Sequence, residues 1–391
     1  MKTWWARPWR IFPTGPTSPR RSTARWTSSI LRSRSTKSEL DGKAVYLLEE
    51  GKKCPEKVIV LINTEFDSAA ALALLLGNPR WQVLGIVASA GKVSSRVSAE
   101  NLLRLLGALK LPIAVYPGME QSLCADLDPL RKQLEPLPRG WPSEEALRFD
   151  DGFLPNATPG MQSCMLQKKP AAIFLVEALE SAAGQVSILS LGPLTDLACA
   201  LKLAPGLEKK IGRLVILGGG HRYSDISCAA EANFRFDPEA GATVMGSPVD
   251  KLLVPLDCGY SCCLTRGRLG RLTARGGVRA QLFEALCIPL FPLYRALGGM
   301  GEKGGIPLKA VAAACAFANE AVLASPLPYS VDVDFGGGLA DGQTVFDTRR
   351  IFEDYNCRTA FSLDCARMEE TLEGLLSEGI RGQSGRGEER A

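Results

Sequence analysis

Residues 58 to 74 read Val-Ile-Val-Leu-Ile-Asn-Thr-Glu-Phe-Asp-Ser-Ala-Ala-Ala-Leu-Ala-Leu. An apolar run ends in Asn63, Thr64 and Glu65, Asp67 follows, and an Ala/Leu stretch of helical type begins at once. A strand that hands polar groups to its C-terminal tip is the place where open α/β sheets build ligand sites. Two further residues could do chemistry. His221, the single histidine, follows a Gly-Gly-Gly turn and has a side chain that exchanges protons near neutrality; exposure on a loop is its plainer reading. Lys309 invites a Schiff-base or phosphate-binding role, against the simpler reading of a solvated or partly buried lysine.

Other chemistries are poorly served. No Gly-x-Gly-x-x-Gly after a strand and no Walker A pattern occurs, and no Ser or Cys sits in a nucleophile-elbow context. The 12 cysteines form no Cys-x-x-Cys pair and are accompanied by one histidine, which argues against structural zinc. Several, including Cys199, Cys287 and Cys315, lie inside apolar stretches, where a thiol acts as a small hydrophobe. The expectation is reduced, mostly buried thiols.

The elements that must position these groups alternate. Strands are expected at Val58–Asn63, Val83–Ala90, Ile113–Tyr116, Val186–Leu191, Leu214–Leu217, Leu252–Leu256 and Val331–Phe335. Helices are expected at Ser68–Leu76, Ser95–Leu109, Ala171–Ser181, Leu194–Leu203, Pro238–Met245, Gln281–Leu290, Lys309–Leu323 and Ala366–Leu376. Such alternation implies an α/β fold, an open and mostly parallel sheet flanked by helices. One domain over 55–380 accounts for it, with 119–165 an excursion from the sheet and 381–391 a disordered tail.

Charge is unevenly placed. Residues 1–38 hold nine Lys/Arg and four tryptophans with no acid before Glu39, leaving 37 basic against 42 acidic residues in the remainder. A mildly acidic body argues against nucleic-acid binding by the folded domain. The basic extension, 1–50, has the composition of an organelle transit peptide, so a mitochondrial location is expected, otherwise a cytoplasmic one. No apolar run approaches the length needed to span a bilayer, so no membrane partner is expected.

Five blocks in order carry a resemblance. The opening motif is similar to the Asp-Thr-Asp-Pro-Gly-Ile-Asp-Asp-Ala-Leu-Ala-Leu signature of the inosine-uridine-preferring nucleoside hydrolases. Gly85–Gly91 resembles the family's second strand, with Lys92 where its Asn stands. Phe149-Asp-Asp-Gly-Phe resembles its Gly-x-Asp-Gly-Leu loop. Ser190-Leu-Gly-Pro-Leu-Thr-Asp-Leu-Ala resembles its Thr-Gly-Pro-Leu-Thr-Asn-Leu-Ala block. Leu217-Gly-Gly-Gly followed by Ala230-Glu-Ala-Asn-Phe-Arg-Phe-Asp-Pro-Glu-Ala matches Gly-Gly … Ala-Glu-Phe-Asn-x-x-x-Asp-Pro-Glu-Ala. The resemblance implies a nucleoside-hydrolase-like fold and a homo-oligomer.

It also implies a site. In that family a calcium ion held by aspartates binds water and the ribose diol, and an aspartate takes the water's proton; hard oxygen ligands suit the ion, and the ion acidifies the water. Carried over, the first aspartate becomes Asn63 and the second, ligand and base, becomes Glu65. An ungapped alignment puts the closing Asp-Asp pair on Ala69 and Ala70. A contracted loop puts it on Asp67 and Ser68 and restores one carboxylate. The late His-Asp pair falls on Lys309 and Ala310, while a backbone carbonyl near Leu191 survives. Glu231 and Asn233 match the residues that hold ribose hydroxyls, and Asp225 stands where an Asn is usual. The alternative for Glu231 and Asn233 is a satisfied polar cluster kept for folding, next to an Asp237-Pro238 helix start.

These positions lead to one expectation and two alternatives. The first is a degenerate, pseudoenzyme-like member that binds a nucleoside or ribosyl compound, with N-glycosidic hydrolysis lost or weak. It needs no cofactor, calcium entering only if Asp67 restores a ligand. The second is an active ribonucleoside hydrolase of purine or pyrimidine salvage that uses Glu65, with Asp67. The third is a non-catalytic subunit of a larger assembly.

Overall fold

The computed structural model describes residues 54–377 apart from 128, 132–140, 151, 155, 157, 300, 302–303 and 350–353. The basic extension expected at 1–50 and the tail expected at 381–391 lie outside the described residues. Strands are β1 Glu56–Ile62, β2 Trp81–Ala88, β3 Val115–Pro117, β4 Val186–Leu191, β5 Ile211–Leu217, β6 Lys251–Val254, β7 Leu327–Val333, β8 Thr344–Asp347 and β9 Cys357–Thr359. The α-helices are α1 Phe66–Leu75, α2 Ser95–Leu109, α3 Pro159–Met165, α4 Ala171–Ser181, α5 Thr195–Leu203, α6 Ala232–Phe236, α7 Pro238–Met245, α8 Leu256–Ser261, α9 Arg266–Thr273, α10 Val278–Cys287, α11 Leu290–Ala296, α12 Lys309–Ala318 and α13 Cys365–Ser377.

The sheet runs β3-β2-β1-β4-β5-β6-β9-β7-β8, parallel from β3 to β9, with β7 antiparallel to both of its neighbours. From β1 the chain builds outward through β2 and β3, then returns to β4 on β1's other side. The crevice at the carboxyl ends of β1 and β4 is therefore a topological switch point.

Strand period fixes what covers each face. Val58, Val60 and Ile62 pack into a core with α1, α2, α10, α12 and α13, while Ile59 and Leu61 pack into another with α4, α5 and α7. Both faces being covered, the strands read as continuous apolar runs. Helix α1 is buried from Asp67 onward. Its Ala69, Ala70, Ala71 and Ala73 share one core with the equally small Ala312, Ala313, Ala314 and Ala316 of α12, all with no exposure. A helix buried all round is apolar all round, and small side chains let its backbone approach its neighbours.

Two expected helices break for local reasons. The stretch expected at Gln281–Leu290 divides at Pro289, whose ring cannot continue a helix, into α10 and α11. The one expected at Lys309–Leu323 stops at Ala318. Asn319 turns extended and its side chain accepts the Ala321 N–H at 3.2 Å, capping a short 3₁₀ turn. Cys287 and Cys315 are buried as expected, Cys199 is half-buried, and Cys54, Cys228 and Cys365 are exposed.

Among the described residues, no helix is long and apolar enough to cross a membrane.

Candidate active site

The polar tip of β1 is held from below. The Asn63 amide donates to the carbonyls of Ser89 and Val93, both at 2.8 Å, and its Oδ1 accepts the Val93 N–H at 3.2 Å. Its side chain thus ties β1 to the loop after β2, and Gly192 leaves the room this needs, since a Cβ there would lie 2.6 Å from the Asn63 nitrogen. Asn101 on α2 donates to the Thr64 carbonyl at 2.8 Å and accepts the Phe149 N–H at 2.8 Å. The Phe149 loop is thereby anchored to the same tip.

Glu65 caps α1, where the Ser68 hydroxyl accepts its N–H at 2.9 Å. The Glu65 carboxylate pairs with Lys92, Nζ to Oε1 2.8 Å, and that ammonium lies 5.3 Å from the Trp141 ring centroid. Asp67 is buried in the first turn of α1. Its Oδ2 accepts the Ala310 N–H at 2.9 Å and its Oδ1 is buried with no hydrogen-bond partner. Burial raises its pKa to about 6, against the Ala310 hydrogen bond, and the nearby Glu65 charge adds to the rise.

The other wall comes from the loop after β5. Gly219, at φ +67°, turns its N–H onto Glu231 Oε2 at 3.1 Å, a conformation that suits glycine. Glu231 Oε2 also accepts the Phe234 N–H, capping α6, and burial together with the Asp225 charge raises its pKa to about 7. Asn233 donates to the Leu217 carbonyl at 3.2 Å. Asp225 Oδ1 accepts the Ala232 N–H at 3.0 Å while its Oδ2 meets the Lys309 ammonium at 2.5 Å. Burial opposes the Asp225 charge, but Lys309 and Lys92 outweigh it and hold its pKa below the ordinary value. Lys309 is buried, yet Asp225 keeps its pKa well above the usual one.

Asn63, Glu65, Asp67, Ser68, Leu191, Glu231, Asn233 and Lys309 line one cavity of about 20 Å³. Asp67 and Ser68, rather than Ala69 and Ala70, face it, which is the contracted-loop arrangement. A second cavity of about 200 Å³ borders Glu65, Asp67, Lys92, Asp225 and Lys309 and extends over Trp141, Tyr260, Leu293 and Tyr294. The sequence signalled none of these aromatic and apolar walls, since each lies on an element outside the five blocks. His221 goes elsewhere. Its ring packs 4.7 Å from Phe361, and its main-chain N–H donates at 2.8 Å to Asp257, another buried carboxylate that the sequence did not flag. Asp237 is the helix cap expected of it, accepting the Ala240 N–H at 2.9 Å and the Thr195 hydroxyl at 2.8 Å.

A mostly parallel sheet with a carboxylate- and amide-lined crevice at its switch point defines a class of small-molecule α/β proteins, and comparison narrows it. The family model for inosine-uridine preferring nucleoside hydrolases matches residues 60–370, and the chain belongs to that family. The pyrimidine-specific ribonucleoside hydrolase RihB of Escherichia coli O157:H7 is 24% identical over 327 residues, 83% of this chain and 97% of that protein. Uridine nucleosidase 1 of Arabidopsis thaliana is 30% identical over 233 residues, 59% of this chain and 66% of that one. Among solved structures, an inosine-guanosine nucleoside hydrolase superposes with a TM-score of 0.69 at 22% identity, covering 83% of this chain and 99% of that one. The plant nucleoside hydrolase PpNRh1 does so with a TM-score of 0.67 at 23% identity, covering 83% and 100%.

Family membership corrects the expectation that no cofactor is needed. The inosine-uridine nucleoside hydrolases are calcium-dependent, and calcium is the cofactor the family brings to this crevice. The residues fit such an ion in part. Asp67, with a buried and unpartnered Oδ1, Glu65, and the Leu191 main chain on the same cavity would hold it. Bound there, the ion would acidify a water. The Lys92 ammonium on Glu65 and the Lys309 ammonium beside Asp67 compete with it for the same negative charge.

Proposed function

We propose that the chain binds a ribonucleoside in the paired cavities and hydrolyses its N-glycosidic bond weakly or not at all. The observation that carries this reading is the pair of ammonium groups set among the carboxylates. Lys92 on Glu65 and Lys309 on Asp225 leave about 20 Å³ between Asp67, Glu231 and Asn233, roughly the space of one water. A ribose ring enters only when these side chains give way. The neighbouring cavity of about 200 Å³, walled by Trp141, Tyr260 and Tyr294, suits a flat heterocycle. On this reading the ribose hydroxyls meet Asp67, Glu231 and Asn233, and the base lies against the aromatic side chains. The relatives are named for pyrimidine ribonucleosides, uridine, and inosine with guanosine, so the ligand panel must hold both base classes.

One observation favours active hydrolysis as a second reading. Asp67, with an unpartnered oxygen and a pKa raised to about 6, could accept a proton from water near neutrality. Calorimetric titration of nucleosides, run beside assays of free ribose with and without calcium, separates the two. Binding with little release supports the first. Release that is lost in Asp67→Asn supports the second.

A further inference from the structure

A separate cavity of about 940 Å³ opens beyond Tyr260 and is lined by Cys262, Cys263 and Cys365; of these, Cys262 and Cys365 meet at Arg268. They come from distant parts of the chain. Cys262 ends α8 and Cys365 begins α13. A single guanidinium joins them: Arg268 Nη1 lies 3.4 Å from the Cys262 sulfur and Nη2 donates to the Cys365 carbonyl at 3.1 Å. The Cys365 sulfur lies 3.6 Å from the carbonyl of Ser261, the residue before Cys262. Cys262 is 9% exposed, but the cavity brings solvent to its wall, and Cys365 is exposed.

A guanidinium beside a thiol favours the thiolate, the form that reacts with peroxides and disulfides. Burial first, and then the Cys262 sulfur, raise the Cys365 pKa to about 12, and Arg268 meets the sulfur of Cys262 but the carbonyl of Cys365. Arg268 keeps its own charge balanced through Glu369, 2.9 Å away. The cluster thus has a sulfur held by a guanidinium, a second sulfur close by, and a route for a small oxidant.

We propose that Cys262 and Cys365 form a reversible disulfide with hydrogen peroxide as the oxidant. The Cys262 thiolate attacks one peroxide oxygen, the O–O bond breaks, and the hydroxide released takes the proton that Cys262 gave up, leaving as water. Cys262 is then a sulfenic acid. The Cys365 sulfur attacks it, the S–O bond breaks, and the departing oxygen leaves with the Cys365 proton as a second water. Two thiols are oxidised by two electrons and one peroxide is reduced to two waters. A thiol reductant reverses the bond. The disulfide ties the end of α8, which carries the cavity wall residue Tyr260, to the start of α13.

The full chain, treated with hydrogen peroxide and mapped by mass spectrometry without reduction, tests this. The expected product is a peptide pair joined through Cys262 and Cys365 that disappears on reduction. In Cys365→Ser the same treatment leaves Cys262 as a sulfenic acid that a dimedone probe labels. In Arg268→Gln formation of the bond slows about threefold or more, because the guanidinium that hydrogen-bonds the attacking sulfur is gone. Crosslinks through other cysteines, dimedone labelling that spares Cys262, or peptides that keep both thiols free overturn the proposal.

Discussion

The Lys309 ammonium lies 2.5 Å from the Asp225 carboxylate, and both side chains are almost wholly buried. Lys309 starts α12, where the helix dipole disfavours a cation. Asp225 and the Glu65 charge offset that cost and keep the lysine protonated. Removing one partner strands the other charge out of water. Lys309→Met is therefore expected to destabilise the fold by about 3–5 kcal/mol. The double variant Lys309→Met with Asp225→Asn should recover most of the loss. Urea unfolding of the single and double variants checks this, and a double variant no more stable than the single one contradicts it.

Lys92 tests the competition between ammonium and metal. Freeing Glu65 from its ion pair with Lys92→Met should tighten calcium binding by about tenfold or more, since calcium affinity follows ligand charge. Calorimetric titration of calcium into wild type and variant measures it. Equal affinities would place the ion away from Glu65.

Asp196 makes stability depend on pH. It is buried, accepts the Met119 N–H at 3.1 Å, and burial raises its pKa to about 7. The unfolded carboxyl ionises near 4, so between about pH 4 and 7 the folded state holds a proton that the unfolded state has released. Its contribution is complete below pH 4 and is lost as pH rises through 7. Asp196→Asn supplies the amide found in the resembling family block and removes the titration. The melting temperature of the variant should gain on wild type as pH rises from 5 to 8. A constant difference across that range would show that Asp196 does not titrate there.

Trp141 is expected to carry the base. Its replacement by Ala removes a stacking face worth about 1–3 kcal/mol, so nucleoside affinity should fall about tenfold or more. It sits on a half-buried loop outside both main cores, and thermal stability should change little. Fluorescence or calorimetric titration reads the affinity directly.

Much of this was legible in the residues. The runs around Val58–Ile62, Val186–Leu191 and Ser95–Leu109 declare themselves because strands buried on both faces and a helix with one apolar stripe have unmistakable periods. β8 and β9 escaped notice because Thr344–Asp347 and Cys357–Thr359 are short and partly polar, and the sheet, not their composition, makes them strands. In the site, Glu65, Asp67, Asp225, Glu231 and Asn233 line two cavities that share Glu65 and Asp67. Three facts were hidden. A sequence does not show that Lys309 spans 84 positions to reach Asp225, that Lys92 closes on Glu65, or that Trp141 lies over Lys92. Those contacts belong to tertiary structure alone.

The most direct test of the central claim is the rate of free ribose release from a purine and pyrimidine nucleoside panel at saturating calcium, by wild type and Asp67→Asn. Release near the uncatalysed background is expected for both proteins, from nucleosides that wild type binds. Turnover at about 1 per second or faster, in the range of ordinary enzymes and abolished by Asp67→Asn, would contradict it and establish a working hydrolase.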